Sequence, residues 1–566
     1  MDKSAPSEQT AKKVVSPEST VKFMSGGFEA GDRFDRETYL WNPPDQSADD
    51  DTIPDKFKVD ARARDMLRND AFAMSAIRMH RDSIVGSRFR LNAKPRFEVL
   101  GQSEEWAREF QDEVETKFTL WAESMNCWPD AARRLTFTEL VRQAIGVFVY
   151  SGEYLATVEW RSVESDRPMS TAIQAIEPNR LSDPLNYTGP HPWTRGNMKR
   201  NVRAGVRMSR MGRPLGYYIQ NSRYQGTNTY DYYDQFRWTY VRAHSSRFGP
   251  LAMRPQVIHL VDQDRPTQTR GISQLVSALK EMRITKRYRD VVLQNAAVNA
   301  MYAATIESEL PDKTVYEQLG AGDIGDAAVD YATRMLAGIA EFSESARSMH
   351  LDGVKIPHLF PGTKLNLQPA GQPGGIGTEF EQSLLRYLAA CFGVSYEELS
   401  KDYQQSSYSS SRSALNATAK SMSSRKYFVA NRLASLIYRL WFEEAIGSGM
   451  IETMMDMSLP NFYEPFMMEA YCNAQWIGAG AGQIDEMKET EAAALRIKMG
   501  FSTHEKECSR FGEDYREVFD QIARERERMK ELDILPMDLQ NMPEPGAAPG
   551  EGSDNEGSDG PPSGPA

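Results

Sequence analysis

From Ile272 to Leu310 the chain carries neither glycine nor proline. Those are the two residues that most readily interrupt a helix, so this run predicts one long helix. Carried to about Asn299 it would be roughly 40 Å long at ~1.5 Å per residue. Lys280, Arg283, Lys286, Arg287 and Arg289 cluster on it. Two readings of that cluster stay open: contact with a polyanion or a neighbouring subunit, and salt bridging with the acidic excess elsewhere.

A second helical region follows a less regular segment, 301–372, which carries weak helical patterning from Asp326 to Ala340 and strand-like pieces ending in Pro361-Gly362 and Pro373-Gly374-Gly375. Thr378 and Glu381 form a capping-box pattern, Phe380, Leu384, Leu388 and Cys391 follow at helical spacing, and Gly393 stops the helix. Ser400 to Ser411 is polar and Ser-rich, with Tyr403 and Tyr408 as its only large apolar groups. A serine N-cap before Arg412 then opens a helix to Ile446, ended by Gly447. Its apolar stripe is Val429, Leu433, Leu436, Ile437 and Leu440. Arg425, Arg432 and Arg439 recur every seven residues beside it, and salt bridging with the acidic excess elsewhere is preferred for them over contact with a polyanion or a neighbouring subunit.

Upstream, the pattern is mixed. Met66, Ala73, Ile77 and Ile84 share a helical face closed by Gly86, and helices are expected at Glu105–Ser124 and Phe137–Val147. Alternation over 153–160 predicts a strand, as do 173–176, 202–206, 213–219 and 257–261. The region 60–265 is therefore α+β. Downstream, 484–532 reads as three helices punctuated by Gly500 and Gly512, with Ser502 and Glu505 capping the second. Residues 1–55 are polar, with Trp41-Asn42-Pro43-Pro44 as an isolated anchor. The segment 536–566 is acidic and poor in core-forming residues. Both ends are expected to be disordered.

With 566 residues, several domains are expected. The formal net charge of −12 argues against a broad phosphate-gripping surface. It is compatible with a wall along which DNA slides, although ordinary solubility explains it as well. Neither a secretory leader nor an apolar run long enough to span a membrane is visible. Cys127, Cys391, Cys472 and Cys508 are scattered and read as reduced thiols.

Catalytic signals are sparse. Gly371-Gln372-Pro373-Gly374-Gly375-Ile376-Gly377 lacks the lysine of a phosphate-binding loop, so no ATP hydrolysis is expected. His504 and Cys508 share a helix face, but two ligands do not close a zinc site. His259 reads as a hydrogen-bonded residue of an apolar strand. Asp262 and Asp264 after that strand could hold a divalent ion, and an ordinary charged loop is the preferred reading. No cofactor is expected.

Particular strings occur in a particular order. ARARDMLRNDAFAMSAI comes first, then RGISQL before the first long helix and LFPGTKLNLQPAG before the second. AACFGVSYEELSKDYQQSSYSSSR follows, and WIGAG, IDEMKETEAAALRIKMGFST and FGEDYREVFDQIARE complete the set. In these strings the chain, over roughly residues 30 to 535, resembles the lambda-type portal proteins of tailed bacteriophages. The resemblance implies a portal fold: a mixed α/β wing, long stem helices, a small α/β clip insert and a helical crown. It places a flexible arm at 1–55, the wing at 56–270, stem helices at 271–300 and 378–393, and the clip at 301–377. A tunnel loop at 394–411, a long helix returning to the wing at 412–479, the crown at 480–535 and the acidic tail at 536–566 complete it.

By the same resemblance the protein is not an enzyme. It is a ring subunit, typically one of twelve, at one capsid vertex, and serves as the channel for DNA packaging and ejection. Its partners would be its own copies, double-stranded DNA passing without sequence specificity, the terminase large subunit, major capsid and scaffold proteins, and head-completion or neck proteins. No membrane is involved. Location would be the virion, with assembly in the host cytoplasm. Candidate channel residues are Lys401, Gln404, Gln405, Ser406, Ser407, Tyr408 and Ser409, and Lys280, Arg283, Lys286 and Arg287 are the candidate basic cluster of the stem. The competing classes are a metal-dependent nucleic-acid enzyme using Asp262 and Asp264, and a scaffold or adaptor without a channel.

Overall fold

Ser47 opens the first helix. Its hydroxyl accepts the Asp50 amide hydrogen, and Asp49, Asp50 and Asp51 put negative charge at the helix's positive end. The computed structural model describes residues 40–532, apart from 162–165, 185–201, 222–236, 246–253, 303–332, 335–336, 338–349, 352–353, 356–375, 405–406, 456–457, 481 and 483–484. The elements used below are α1 (Ala48–Asn69), α2 (Ala71–Ile84), β1 (Arg90–Ala93), α3 (Glu104–Ala122), α4 (Phe137–Ser151), β2 (Glu153–Trp160), β3 (Thr171–Ile176) and β4 (Val202–Arg203). They continue with β5 (Val206–Met208), β6 (Pro214–Gln220), β7 (Trp238–Arg242), β8 (Val257–Val261), α5 (Leu279–Tyr302), β9 (His350–Leu351), β10 (Val354–Lys355), α6 (Ile376–Phe392), α7 (Tyr396–Ser400) and α8 (Tyr408–Arg425). The last are α9 (Arg432–Gly447), β11 (Ala474–Ile477), α10 (Glu486–Lys498), α11 (His504–Arg510) and α12 (Tyr515–Glu531).

The mixture of helix and sheet expected from the patterning is present. The chain forms two compact units: Met1–Ile77 with Val149–Glu153 and Val261–Thr418, and Arg78–Phe148 with Tyr154–Leu260 and Ala419–Ala566.

The second unit is built around aromatic rings. Phe118 of α3 sits edge-on to Phe137 at 5.3 Å, Trp441 at 5.2 Å and Tyr438 at 5.6 Å. Trp476 of β11 closes the cluster, 6.0 Å from Phe118. Edge-to-face contact suits the ring quadrupoles and adds to the apolar burial. β1 and β11 pair antiparallel, Leu91 opposite Trp476, which places that indole. Two sheets follow. One has strand order β3-β2-β8, and the other is the meander β4-β5-β6-β7. Between them lie Leu155, Ile176, Leu181, Val206, Tyr217, Ile219 and Val257, all buried. Glu444 of α9 accepts the Ser170 and Thr171 amide hydrogens at 2.6 and 2.8 Å, tying that helix to β3.

Several boundaries differ from the sequence reading, each for a local reason. The stretch 202–206 is two strands. Ala204 and Gly205 both take positive φ, 46° and 87°, which makes the two-residue turn of a hairpin. The first helix starts at Ala48, inside the expected arm, because Ser47 and three aspartates cap it. It breaks at Asp70, which is extended and whose carboxylate accepts the Ala73 amide hydrogen to start α2. α6 starts at Ile376, so Thr378 and Glu381 lie within it and form no cap. Thr503, not Ser502, caps α11. β1, β7 and β11 were not foreseen; they are short or lack alternation. Gly86, Gly393, Gly500 and Gly512 end helices with φ between 68° and 81°. The expected clip insert lies largely outside the described residues, apart from the β9–β10 ribbon. So do 1–39, 533–566 and most of the weak helical pattern at 326–340.

One partly buried carboxylate gives this unit a pH dependence. Glu115 of α3 accepts the Ala93 amide hydrogen and a Gln111 side-chain hydrogen, both on Oε1. Burial pushes its carboxyl up from 4.5 to about 7. A raised folded-state value means the folded protein holds the proton more tightly than the unfolded chain. Its contribution is therefore complete below 4.5 and lost as pH rises through about 7. By that linkage the loss is on the order of 3 kcal/mol. Glu115→Gln keeps the Oε1 acceptor and removes the proton, so urea unfolding of the variant should lose this slope and gain stability at pH 8. An unchanged slope between pH 5 and pH 8 would show that Glu115 is not its source.

Candidate functional site

Two glycines and a buried arginine fix where α5 begins. Gly152 has φ of +73°, and a Cβ there would lie 2.0 Å from the Ile272 carbonyl oxygen. A Cβ on Gly271 would lie equally close, 2.0 Å, to the Gly152 carbonyl oxygen. Two backbones approach so closely that only glycine fits on either side. Next to this crossing Arg270 and Glu153 are fully buried and paired, Nη2 to Oε1 at 2.6 Å and Nε to Oε2 at 3.0 Å. Glu153 Oε2 also accepts the Gly271 amide hydrogen at 3.0 Å. Lys56 of α1 lies 3.3 Å from Glu153 and 2.8 Å from Asp60, and donates to the Ser151 carbonyl oxygen. Two cations face two carboxylates, so the cluster is neutral. Burial raises the Asp60 carboxyl above its ordinary value, against the pull of Lys56.

Asp49 extends the arrangement. It accepts the Thr269 amide and hydroxyl hydrogens, each at 2.7 Å. Ser273 then caps a turn of 3-10 helix at Gln274–Ser277, and α5 follows. The string RGISQ is thus a joint: arginine for charge, glycine for approach, serine for the cap.

α5 divides the expected basic cluster. Lys286 donates to the Asn69 carbonyl oxygen at the end of α1, 2.9 Å away. Arg289 donates to Glu381 of α6 at 2.6 Å and lies 4.6 Å over the Phe72 ring. These two are engaged within the fold, because the helix face that meets α1 and α6 turns them inward. Lys280, Arg283 and Arg287 are exposed on one outward stripe.

The polar segment after α6 is shorter than expected. Ser395 and Glu398 form a capping box, and α7 takes residues Tyr396–Ser400 out of the loop. Lys401 ends α7 at φ of 60°. The Ser407 hydroxyl accepts the Ser410 amide hydrogen, so α8 starts at Tyr408, not Arg412, and Tyr408 and Ser409 are helical. The stretch left between α7 and α8 therefore runs from Lys401 to Ser407. Lys401, Gln404 and Ser407 are exposed on it, while Gln405 and Ser406 lie outside the described residues. Tyr403 is about half exposed, its hydroxyl pKa raised by partial burial and by Glu398 and Glu397.

This surface continues beyond the expected loop, along α8. Between Asp402 and Glu443 the chain has no acidic residue and six basic ones: Arg412, Lys420, Arg425, Lys426, Arg432 and Arg439. Ser409, Arg412, Ser413, Asn416, Lys420 and Ser424 are exposed along α8. In a chain of net charge −12 this segregation is a readable signal, and it identifies Arg412 and Lys420.

The other candidates fall elsewhere. Asp262 and Asp264 are exposed on the loop after β8, and the Gln268 side chain accepts the Asp264 amide hydrogen at 3.0 Å. His259 meets Tyr217 edge-on and His504 meets Phe519. Among the described residues no three His, Cys, Asp or Glu side chains are grouped to hold a metal ion. No helix there is long and apolar enough to cross a membrane.

The described residues thus hold a joint of buried charge, a long helix and a hydroxyl-lined basic face. The family model described as phage portal protein, lambda family, matches residues 34–426, and the chain belongs to that family. It is 36% identical over 509 residues to the portal protein of Escherichia phage N15, covering 90% of this chain and 91% of that one. It is also 36% identical over 520 residues to portal protein B of Escherichia phage lambda, covering 92% of each. Among solved structures it is similar to a chain in the neck of an empty GTA particle, at 12% identity and a TM-score of 0.36, covering 80% of this chain and 93% of that one.

Proposed function

We propose that this portal protein assembles into a closed ring at one capsid vertex, and that DNA enters and leaves through its axis. The loop 401–407 and the outward face of α8 line the passage. The observation that carries the channel reading is the surface running from Lys401 along α8. It presents serine hydroxyls, amides and a few cations, with no carboxylate after Asp402 until Glu443. Such groups make brief phosphate contacts that read no sequence. A dense row of lysines and arginines would instead hold the duplex, since each phosphate contact adds counterion-release affinity. Residues 56–270 serve as the wing, α5 and α6 as the stem, 301–377 as the clip and 480–535 as the crown. The terminase large subunit docks on the clip and supplies ATP hydrolysis. Capsid, scaffold and neck proteins meet the ring at other faces. The twelve-fold ring number and the place in the virion belong to this same reading.

Deleting Gln404 to Ser406, which spares the Ser407 cap, should leave assembly intact and reduce DNA per capsid, because Lys401 and Gln404 are exposed and join no core. DNA content of purified heads, with rings confirmed by negative-stain microscopy, is the measurement. Full heads from this variant would remove the loop from the channel. Loss of rings would make it a structural segment.

A further inference from the structure

α10 and α12 each turn an apolar stripe to solvent. On α10 the outward residues Met487, Glu491, Ala494 and Leu495 fall on one face, and Met487 and Leu495 are 70% and 54% exposed. The outward face of a surface helix is normally its polar one. On α12, Phe519, Ile522, Arg526 and Met529 follow one another along one face. Phe519 rests against His504, but every residue from Phe519 to Leu532 is exposed, and no residue of the helix is buried. A helix gains most of its stability by packing an apolar face, and this one leaves that face uncovered.

Each stripe is interrupted by a charge, and the two charges are opposite: Glu491 on α10 and Arg526 on α12. Neither takes part in an ion pair among the described residues. A two-fold contact of α12 with itself would set Arg526 against Arg526, and the same contact of α10 would oppose two glutamates. A head-to-tail contact pairs them.

We infer that α12 of one copy docks on α10 of a second copy, with Arg526 against Glu491 and Ile522 and Met529 against Met487 and Leu495. The inference rests on the ring reading and deepens it by naming one subunit interface. Two different faces on each copy are what a head-to-tail contact requires, and such a contact closes into a ring when its rotation permits. The single charge pair within apolar stripes sets register.

The test uses the full chain and particle mass by light scattering over a range of protein concentration. Glu491→Arg and Arg526→Glu should each raise the concentration for half assembly at least about tenfold, and the double variant should return to within about threefold of the parent. Folding of each variant is checked by its thermal transition. As an independent measurement, Leu495→Cys with Ile522→Cys should give a ladder of disulfide-linked copies under mild oxidation that neither single variant gives. Unchanged assembly in both single variants, or an assembled particle without a ladder, would overturn the interface and leave the ring standing. Assembly that needs residues 533–566 but ignores both charge reversals would mean the chain's own tail covers the stripes, which also overturns it. A parent protein that never assembles would sink the ring reading instead.

Discussion

Arg270→Ala should lose most of the stability of the first unit. Arg270 and Glu153 are both fully buried, and the guanidinium grips the carboxylate through two nitrogens. Removing Arg270 leaves two buried carboxylates, Glu153 and Asp60, facing the single cation Lys56, and takes the two-nitrogen grip from Glu153. Breaking a buried pair in this way costs about 3–5 kcal/mol, far more than an exposed pair is worth. Arg270→Lys keeps the charge but not the fork, and should fall between the parent and alanine. Replacing Arg270 and Glu153 together by apolar residues should restore much of the loss, because no orphan charge remains. Urea unfolding followed by fluorescence gives the numbers. An alanine variant within about 1 kcal/mol of the parent would show that the pair is solvated and the joint is held by something else.

Phe118→Ala should cost a similar amount through a different mechanism. The ring is buried and touches Phe137, Tyr438, Trp441 and Trp476. Truncation removes apolar burial and leaves a cavity that rigid aromatic neighbours cannot fill, which costs about 3–5 kcal/mol. Phe118→Leu should lose less, since its volume is closer. Hydrogen exchange separates the two cases, because local stability is lost where the contacts are. Phe118→Ala should deprotect α3 and α9, and Arg270→Ala should deprotect α1 and the start of α5. Identical exchange patterns from both variants would contradict the division of the core into two sets of contacts.

Much of this architecture was legible in the residues. Period-two alternation gave β2 over Glu153–Trp160 at its observed limits. The glycines at 86, 393, 500 and 512 ended helices where expected. What the sequence hid was long-range or local in a way periodicity cannot express. Ile272, Ser273 and Gln274 read as the start of the long helix, which begins only at Leu279, and the function of RGISQ as a joint needs Glu153, Gly152 and Lys56, all distant in sequence. β1 and β11 are four residues each and become strands only by meeting each other. The basic cluster on α5 looked uniform, yet Lys286 and Arg289 are spent on Asn69 and Glu381 while Lys280, Arg283 and Arg287 remain outward. The polar loop looked longer than it is because Ser395 and Ser407 are both caps, and a serine-rich string does not announce which of its hydroxyls will close a helix.

The proposed ring with an axial passage is open to direct measurement. The most direct measurement is the mass and shape of the purified full-length protein, by light scattering and negative-stain class averages across salt concentrations. A closed ring gives one dominant particle many times heavier than the 64.0 kDa subunit, with cyclic symmetry and a central pore. Monomers or dimers at every salt and protein concentration, or open filaments in place of rings, would contradict it.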